Sequence, residues 1–167
     1  MRPARKAAGR RCERGAIAIE AAFVLPILLL FIGLPSVLLA FYFRQYTAAQ
    51  KAVHDAALYL STAPRIEMIT AGPDGDPAAM ALARTIMTRE MAGIVPSGTS
   101  LNPGISCLYQ VGASSVMKPC MVAYNQSPTD TLIQLEVSIY LTYVNPLTGN
   151  DSGMWIEPHA LVSYVGY

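Results

Sequence analysis

Charged side chains and the usual catalytic residues are scarce in this sequence. Only 14% of its 167 residues are Asp, Glu, Lys or Arg, against roughly 25% in an average soluble protein, and there are two histidines and three cysteines. No nucleophile–base pair, metal triad or phosphate-binding loop is recognisable, so we expect no enzyme, no cofactor and no metal site. The length suits one domain of ~100 to 150 residues plus an anchor.

The basic residues are concentrated at the N-terminus. Six of the twelve precede position 15, namely Arg2, Arg5, Lys6, Arg10, Arg11 and Arg14. After Gly15 the chain has six basic against ten acidic residues. This part of the chain has a net negative charge and no cluster of basic side chains, which argues against nucleic acid as a partner.

Residues 21–43 form the longest apolar run, twenty-three residues without a charge. A helix needs about 20 such residues to cross a bilayer, so the run predicts one membrane span in contact with lipid. The basic flank places the N-terminus in the cytoplasm. No small-x-small signal-peptidase site follows, so we expect the anchor to be retained. Pro26 and Pro35 predict a kinked or locally loosened helix.

Glu20 is the one charged residue within the apolar block 16–43. A carboxylate deep in a bilayer costs ~2.5 to 3.5 kcal/mol on insertion scales. Glu20 therefore either lies at the interface, where its side chain reaches the headgroups, or needs a positively charged partner.

The residues around Glu20 resemble a type IV prepilin processing site. In RRCERGAIAIE, positions 10–20, a basic leader and a glycine are followed by four small or apolar residues and a glutamate. The resemblance implies that a prepilin peptidase cuts between Gly15 and Ala16, which leaves Glu20 fifth in the mature chain. The new Ala16 ammonium would then lie about 6 Å of helical rise from Glu20 and pair with it or with a neighbour's glutamate.

The longer stretch 14–63 is similar to the N-terminal region of TadE-like pseudopilins of tight-adherence (Tad) pilus systems. The shared features are the glutamate five residues after the glycine, Pro26 six residues later, and an alanine-rich helix with His-Asp-Ala-Ala. The resemblance implies a minor pilus component in the bacterial inner membrane, whose partners are prepilin peptidase, other pilin-like subunits and pilus assembly proteins. It implies a role in pilus biogenesis and surface adhesion. The alternative is an uncleaved, signal-anchored protein with a partner-binding periplasmic domain.

For the whole chain we predict an α+β fold with four segments: a leader 1–15, a transmembrane helix 16–43, two helices in 44–96, and an antiparallel β region in 97–167. The first helix should continue into an amphipathic stalk, with Gln45 off its apolar face. The second should run from about 77 to 92 with Asp76 as N-cap and an apolar face that includes Leu82.

Strict alternation predicts a strand at 133–143 with one buried face. Weaker candidates are 105–111, 120–124 and 160–165, and 97–104 reads as a loop. Cys107 and Cys120 flank a predicted hairpin turn, so we expect a disulfide worth ~3 kcal/mol, with two buried free thiols as the alternative. Cys12 lies in the leader.

Overall fold

The structure, a computed structural model, describes residues 9–72, 74–96 and 98–166, with side chains from residue 18 onward. Residues 1–8 of the predicted leader lie outside this range. The chain divides into two compact units between Ala40 and Phe41. The second unit is called the outer domain below.

Residues 9–62 form one long helical run. Helix α1 (Gly9–Leu28) passes through a π-helical segment (Leu29–Gly33) into α2 (Leu34–Thr62). The helix ends where Pro64 disfavours helical backbone at Ala63. The prediction that the apolar helix continues into a stalk is confirmed.

Three shorter helices follow: α3 (Arg65–Ile69), α4 (Ala78–Met91) and α5 (Val122–Asn125). Helix α3 was not predicted. The N-cap assigned to Asp76 is wrong, because Pro77 holds that position with no side-chain cap. The Asp76 carboxylate instead pairs with the Arg84 guanidinium at 2.7 Å, about two helical turns along α4.

Five antiparallel strands form one sheet: β1 (Asn102–Val111), β2 (Ser114–Pro119), β3 (Asp130–Val144), β4 (Asp151–Ile156) and β5 (His159–Ser163). The order is β2-β1-β3-β4, with β5 also on β3. Strand β5 and the end of β4 pair β3 in the same register, from Gln134↔Ser163 to Thr142↔Trp155, with Glu157 and Pro158 between the two strands; the register then shifts, so that Val144 pairs with Asp151. The α+β fold with an antiparallel sheet is confirmed.

The strand predictions succeed where alternation is long and fail where it is short. Strand β3 contains the predicted 133–143, β1 contains 105–111, and β5 overlaps 160–165. The strand predicted at 120–124 is wrong, because 122–125 form α5. The loop predicted at 97–104 is wrong for its last three residues, which begin β1. Strands β2 and β4 were missed.

The core lies between the helices and one sheet face. Alternate residues of β3 from Leu135 to Tyr143 are buried. A bulge in the β1–β3 ladder shifts the phase, so Leu132 rather than Ile133 packs against the core. Helix α4 buries Ala79, Met80, Ala83, Met87 and Met91, whereas Leu82 is exposed, contrary to its predicted place on the apolar face.

Helix α2 and strand β3 run in opposite directions within the outer domain. At one end Gln45 Nε2 donates to the Val144 carbonyl at 2.9 Å. At the other end Val165 N–H donates to the Ser61 carbonyl at 2.9 Å, and Tyr164 N–H donates to the Ile133 carbonyl at 3.0 Å. The C-terminal end of β3 therefore lies beside the part of α2 nearest the apolar run.

Candidate assembly helix and the bracing of the outer domain

The predicted processing site lies in helical backbone. Gly15 and Ala16 fall within α1, and Glu20 is one helical turn beyond Ala16. The Glu20 side chain is exposed. Because residues four apart share a helix face, positions 16 and 20 lie on one face of α1.

The helix from residue 18 to residue 40 has no buried side chain. Its exposed apolar residues include Ile19, Phe23, Leu30 and Phe31. An exposed apolar surface of this extent in water is unfavourable, so it calls for lipid or partner helices around it.

The two prolines border an irregular part of this helix. Pro26 lies inside α1, and the π-helical segment begins three residues later. Leu34 N–H donates to the Leu29 carbonyl, a bond that spans five residues instead of four. Ser36 Oγ donates to the Ile32 carbonyl at 2.6 Å beside Pro35, which has no N–H. The backbone is thus locally widened between the two prolines.

Small side chains line the stalk where it meets the sheet. Ala49, Ala52, Ala56 and Ala57 are fully buried together with Leu60. Alanine lets the helix axis approach the sheet closely and costs no side-chain entropy on burial. The stalk is therefore an integral part of the core of the outer domain.

Gln45 anchors the first turns of the stalk, contrary to the prediction that it faces away from the core. Its side chain is 3% exposed, and its Oε1 atom has no hydrogen-bond partner. Next to it, the rings of Tyr42 and Tyr143 meet edge to face at 5.5 Å. These contacts attach the C-terminal end of β3 to the helix at the end of the apolar run.

The two predicted cysteines are joined in the structure by a disulfide. Cys107 on β1 bonds Cys120, which lies between β2 and α5. Short helix α5 is also held by Asn125, whose Nδ2 donates to the Met68 carbonyl at 2.8 Å and whose Oδ1 accepts from Tyr109 Oη. The disulfide and Asn125 together connect β1, α5 and α3.

An ion pair lies beside this junction of β1, α5 and α3, which consists of the disulfide and the bonds of Asn125. Lys118 Nζ contacts the Asp130 carboxylate at 3.0 Å and lies 4.8 Å from the centre of the Tyr124 ring. The hydrogen bond from Lys118 holds the pKa of Asp130 below its usual value. Burial, and then the charge of Asp130, raises the pKa of Tyr109 to about 12. Tyr109 is therefore the neutral donor to Asn125 at physiological pH.

Neither histidine belongs to this junction: His54 lies exposed on α2 and His159 exposed on β5. Within residues 9–72, 74–96 and 98–166, no group of three or more His, Cys, Asp or Glu side chains is placed to hold a metal ion.

The fold and the apolar helix together indicate a class of protein. An α+β domain follows a helix that, by length and composition, is the one candidate membrane span among the described residues. This is consistent with a single-span membrane protein.

Comparison with known families identifies a match for the apolar helix and the stalk. Residues 15–58 match the family model described as TadE-like protein. The resemblance inferred from the sequence is thereby confirmed over the apolar helix and most of the stalk, and it associates the chain with Tad pilus systems. No curated protein and no solved structure matches the chain.

Proposed function

We propose that this chain is a minor pseudopilin of a Tad-type pilus assembly apparatus. It is held in the bacterial inner membrane by residues 16–43, with its N-terminus in the cytoplasm and its outer domain in the periplasm. The observation that carries the proposal is the TadE-like match, which begins at Gly15 and includes Glu20 and the whole apolar run. The role is structural: the subunit contributes to pilus biogenesis and, through the pilus, to surface adhesion.

Processing prepares the helix for assembly in this proposal. Prepilin peptidase cuts between Gly15 and Ala16, and the basic leader is released. The helical backbone around this bond has to open for cleavage, and Gly15 makes that opening easier because glycine is the least constrained residue. The mature chain then starts with an ammonium four residues before Glu20.

The charge pair then offsets the cost of placing Glu20 among apolar helices. At ~4 Å and an effective dielectric near 20, an ammonium and a carboxylate attract by about 4 kcal/mol before desolvation is subtracted. The insertion cost of the carboxylate is of similar size, ~2.5 to 3.5 kcal/mol. A subunit whose Glu20 meets a neighbour's ammonium is therefore favoured over an unpaired one, which sets the register between subunits.

The processing step is tested by the identity of the N-terminal residue. The chain is expressed with and without a prepilin peptidase, and the accumulated product is sequenced from its N-terminus. We expect Ala16 with the peptidase and Met1 without it, and we expect Gly15→Val to keep Met1 in both cells. If the wild-type chain keeps Met1 in both, the proposal fails in favour of an uncleaved anchored protein with a partner-binding outer domain.

The role of Glu20 is tested by copurification with other pilin-like subunits. Glu20→Gln keeps the size of the side chain and removes its charge, so we expect normal cleavage but reduced copurification. Glu13→Gln is the matched control, because that acid leaves with the leader. Equal copurification of the Glu20→Gln and wild-type chains would contradict the pairing role.

A further inference from the structure

The β3–β4 hairpin, residues 141–156, carries exposed apolar side chains that the core does not use. Trp155 is 69% exposed, Leu147 in the connecting loop is 60% exposed, and Met154 is 49% exposed. Scattered exposed apolar residues need no explanation. Three within one hairpin of sixteen residues are a local concentration that does need one, although Met154 and Trp155 are consecutive in β4 and point to opposite faces of the strand.

This hairpin lies at the end of the outer domain where the chain leaves the apolar run. Gln45, which bonds the last residue of β3, is two residues past Phe43, or about 3 Å of helical rise. Strand β3 runs opposite to α2, so the end of β3, where the loop begins, lies beside Tyr42 and Gln45 in the first turns of the outer domain. Trp155 pairs with Thr142, two residues or ~7 Å of strand before Val144.

The loop between β3 and β4, residues 145–150, can leave water with a small desolvation penalty. Leu147 N–H donates to Asn145 Oδ1 at 2.9 Å, and Gly149 N–H donates to the Asn145 carbonyl at 2.7 Å. Asn145 N–H in turn donates to the Asn150 carbonyl at 3.0 Å. Backbone groups already bonded to one another lose little when a surface covers them.

The chemistry of the hairpin fits the polar boundary of a bilayer. Its sixteen residues contain one charge, Asp151, whose carboxylate accepts from Gly153 N–H at 2.7 Å. Phe41, Tyr42, Phe43 and Tyr46 lie on the adjoining turns of the helix. Tryptophan and tyrosine concentrate at membrane interfaces because their rings are apolar and their N–H or O–H groups stay hydrated.

We propose that the β3–β4 hairpin is a second membrane contact, in which Leu147, Met154 and Trp155 enter the headgroup region of the bilayer that the N-terminal helix crosses. This inference rests on the membrane span of the proposed function. The contact adds a second point of attachment to the single helix and fixes which side of the outer domain faces away from the membrane.

Trp155 is the only tryptophan in the chain, so its fluorescence reports on the hairpin alone. The full-length protein is reconstituted in phosphatidylcholine vesicles that carry a spin-label quencher either near the headgroups or at the ends of the acyl chains. We expect blue-shifted emission, quenching by the headgroup label that exceeds quenching by the chain-end label, and protection from iodide.

Two variants calibrate the depth. Trp155→Phe with Leu147→Trp moves the reporter to the loop, where we expect stronger lipid quenching than for Trp155. Trp155→Phe with Ile66→Trp moves it to a residue that is 64% exposed beyond the far end of α2. The helix rises ~24 Å between Gln45 and Ser61, so a tryptophan at position 66 should be quenched by iodide and not by lipid labels.

An alkaline wash of the vesicles separates the two proposals. Protein released by the wash is not integral, and that result overturns the span and this inference together. If the protein is retained but Trp155 is quenched by iodide and by neither lipid label, the span stands and the hairpin contact is overturned. A lipid signal of equal strength from residues 155 and 66 also overturns it.

Discussion

Breaking the disulfide between Cys107 and Cys120 should destabilise the outer domain by about 3 kcal/mol. The bond closes a loop with a sequence separation of 13, and the chain-entropy relation gives ~3 kcal/mol for a loop of this length. For a domain of this size 1 kcal/mol corresponds to a few degrees, so the melting temperature should fall by on the order of 10 °C. Thermal unfolding of the full-length protein in detergent, followed by circular dichroism, measures the difference between the oxidised and reduced forms.

Two variants separate the cross-link from the packing of the sulfur atoms. Cys107→Ala with Cys120→Ala should melt below the reduced wild type, because it also removes two buried sulfur atoms. Cys12→Ala should melt with the wild type, since that residue precedes the membrane span. The reasoning is refuted if oxidised and reduced proteins melt within about 2 °C of each other, which on the same scale is well under 1 kcal/mol.

The remaining predictions concern the core and its buried tyrosine. Leu60 is fully buried, so Leu60→Ala should lower the free energy of unfolding by ~2 to 5 kcal/mol. Leu58 is exposed, so Leu58→Ala should change it by less than about 0.5 kcal/mol. Equal effects of the two substitutions in a denaturant titration would contradict the packing of the stalk. Because the folded pKa of Tyr109 is about 12 and the unfolded value is ~10, its proton stabilises the fold fully below pH ~10, and this stabilisation is lost as the pH rises towards 12. Tyr109→Phe should therefore be less stable at neutral pH but lose less stability across that alkaline range, and a parallel loss in both proteins would contradict this.

Sequence reasoning succeeded where one physical requirement governs many consecutive residues. The uncharged run 21–43 has few alternatives to a membrane helix. The alternation in β3 extends far enough that burial of one face overrides local preference. Both elements were recognised, and with them the fold class.

The errors fall where tertiary contacts outweigh the local pattern. Gln45 is polar, yet Val144 supplies an acceptor that makes its burial possible. The apolar stretch 120–124 resembles a strand, but the disulfide at Cys120 and the bonds of Asn125 hold it as a helical turn. Strands β2 and β4 are short and largely exposed, so no buried face marks them in the sequence.

Part of the candidate site could be predicted from the sequence and part could not. Glycine, glutamate and prolines at set spacings could be read directly along one helix. The hairpin patch could not, because its position depends on the direction of β3 relative to α2, which only the bonds at Gln45 and Ser61 establish.

The π-helical segment changes how the apolar helix meets its neighbours. A turn that holds one residue more than an α-helical turn rotates everything after it by up to about 100° relative to a regular helix. A helical wheel drawn across residues 18–40 therefore mixes two separate contact stripes, one before Leu29 and one after Gly33. In the proposed assembly, a subunit that aligns with Glu20 on the first stripe would meet a different row of side chains on the second, so one helix would present different faces to different neighbours at two depths.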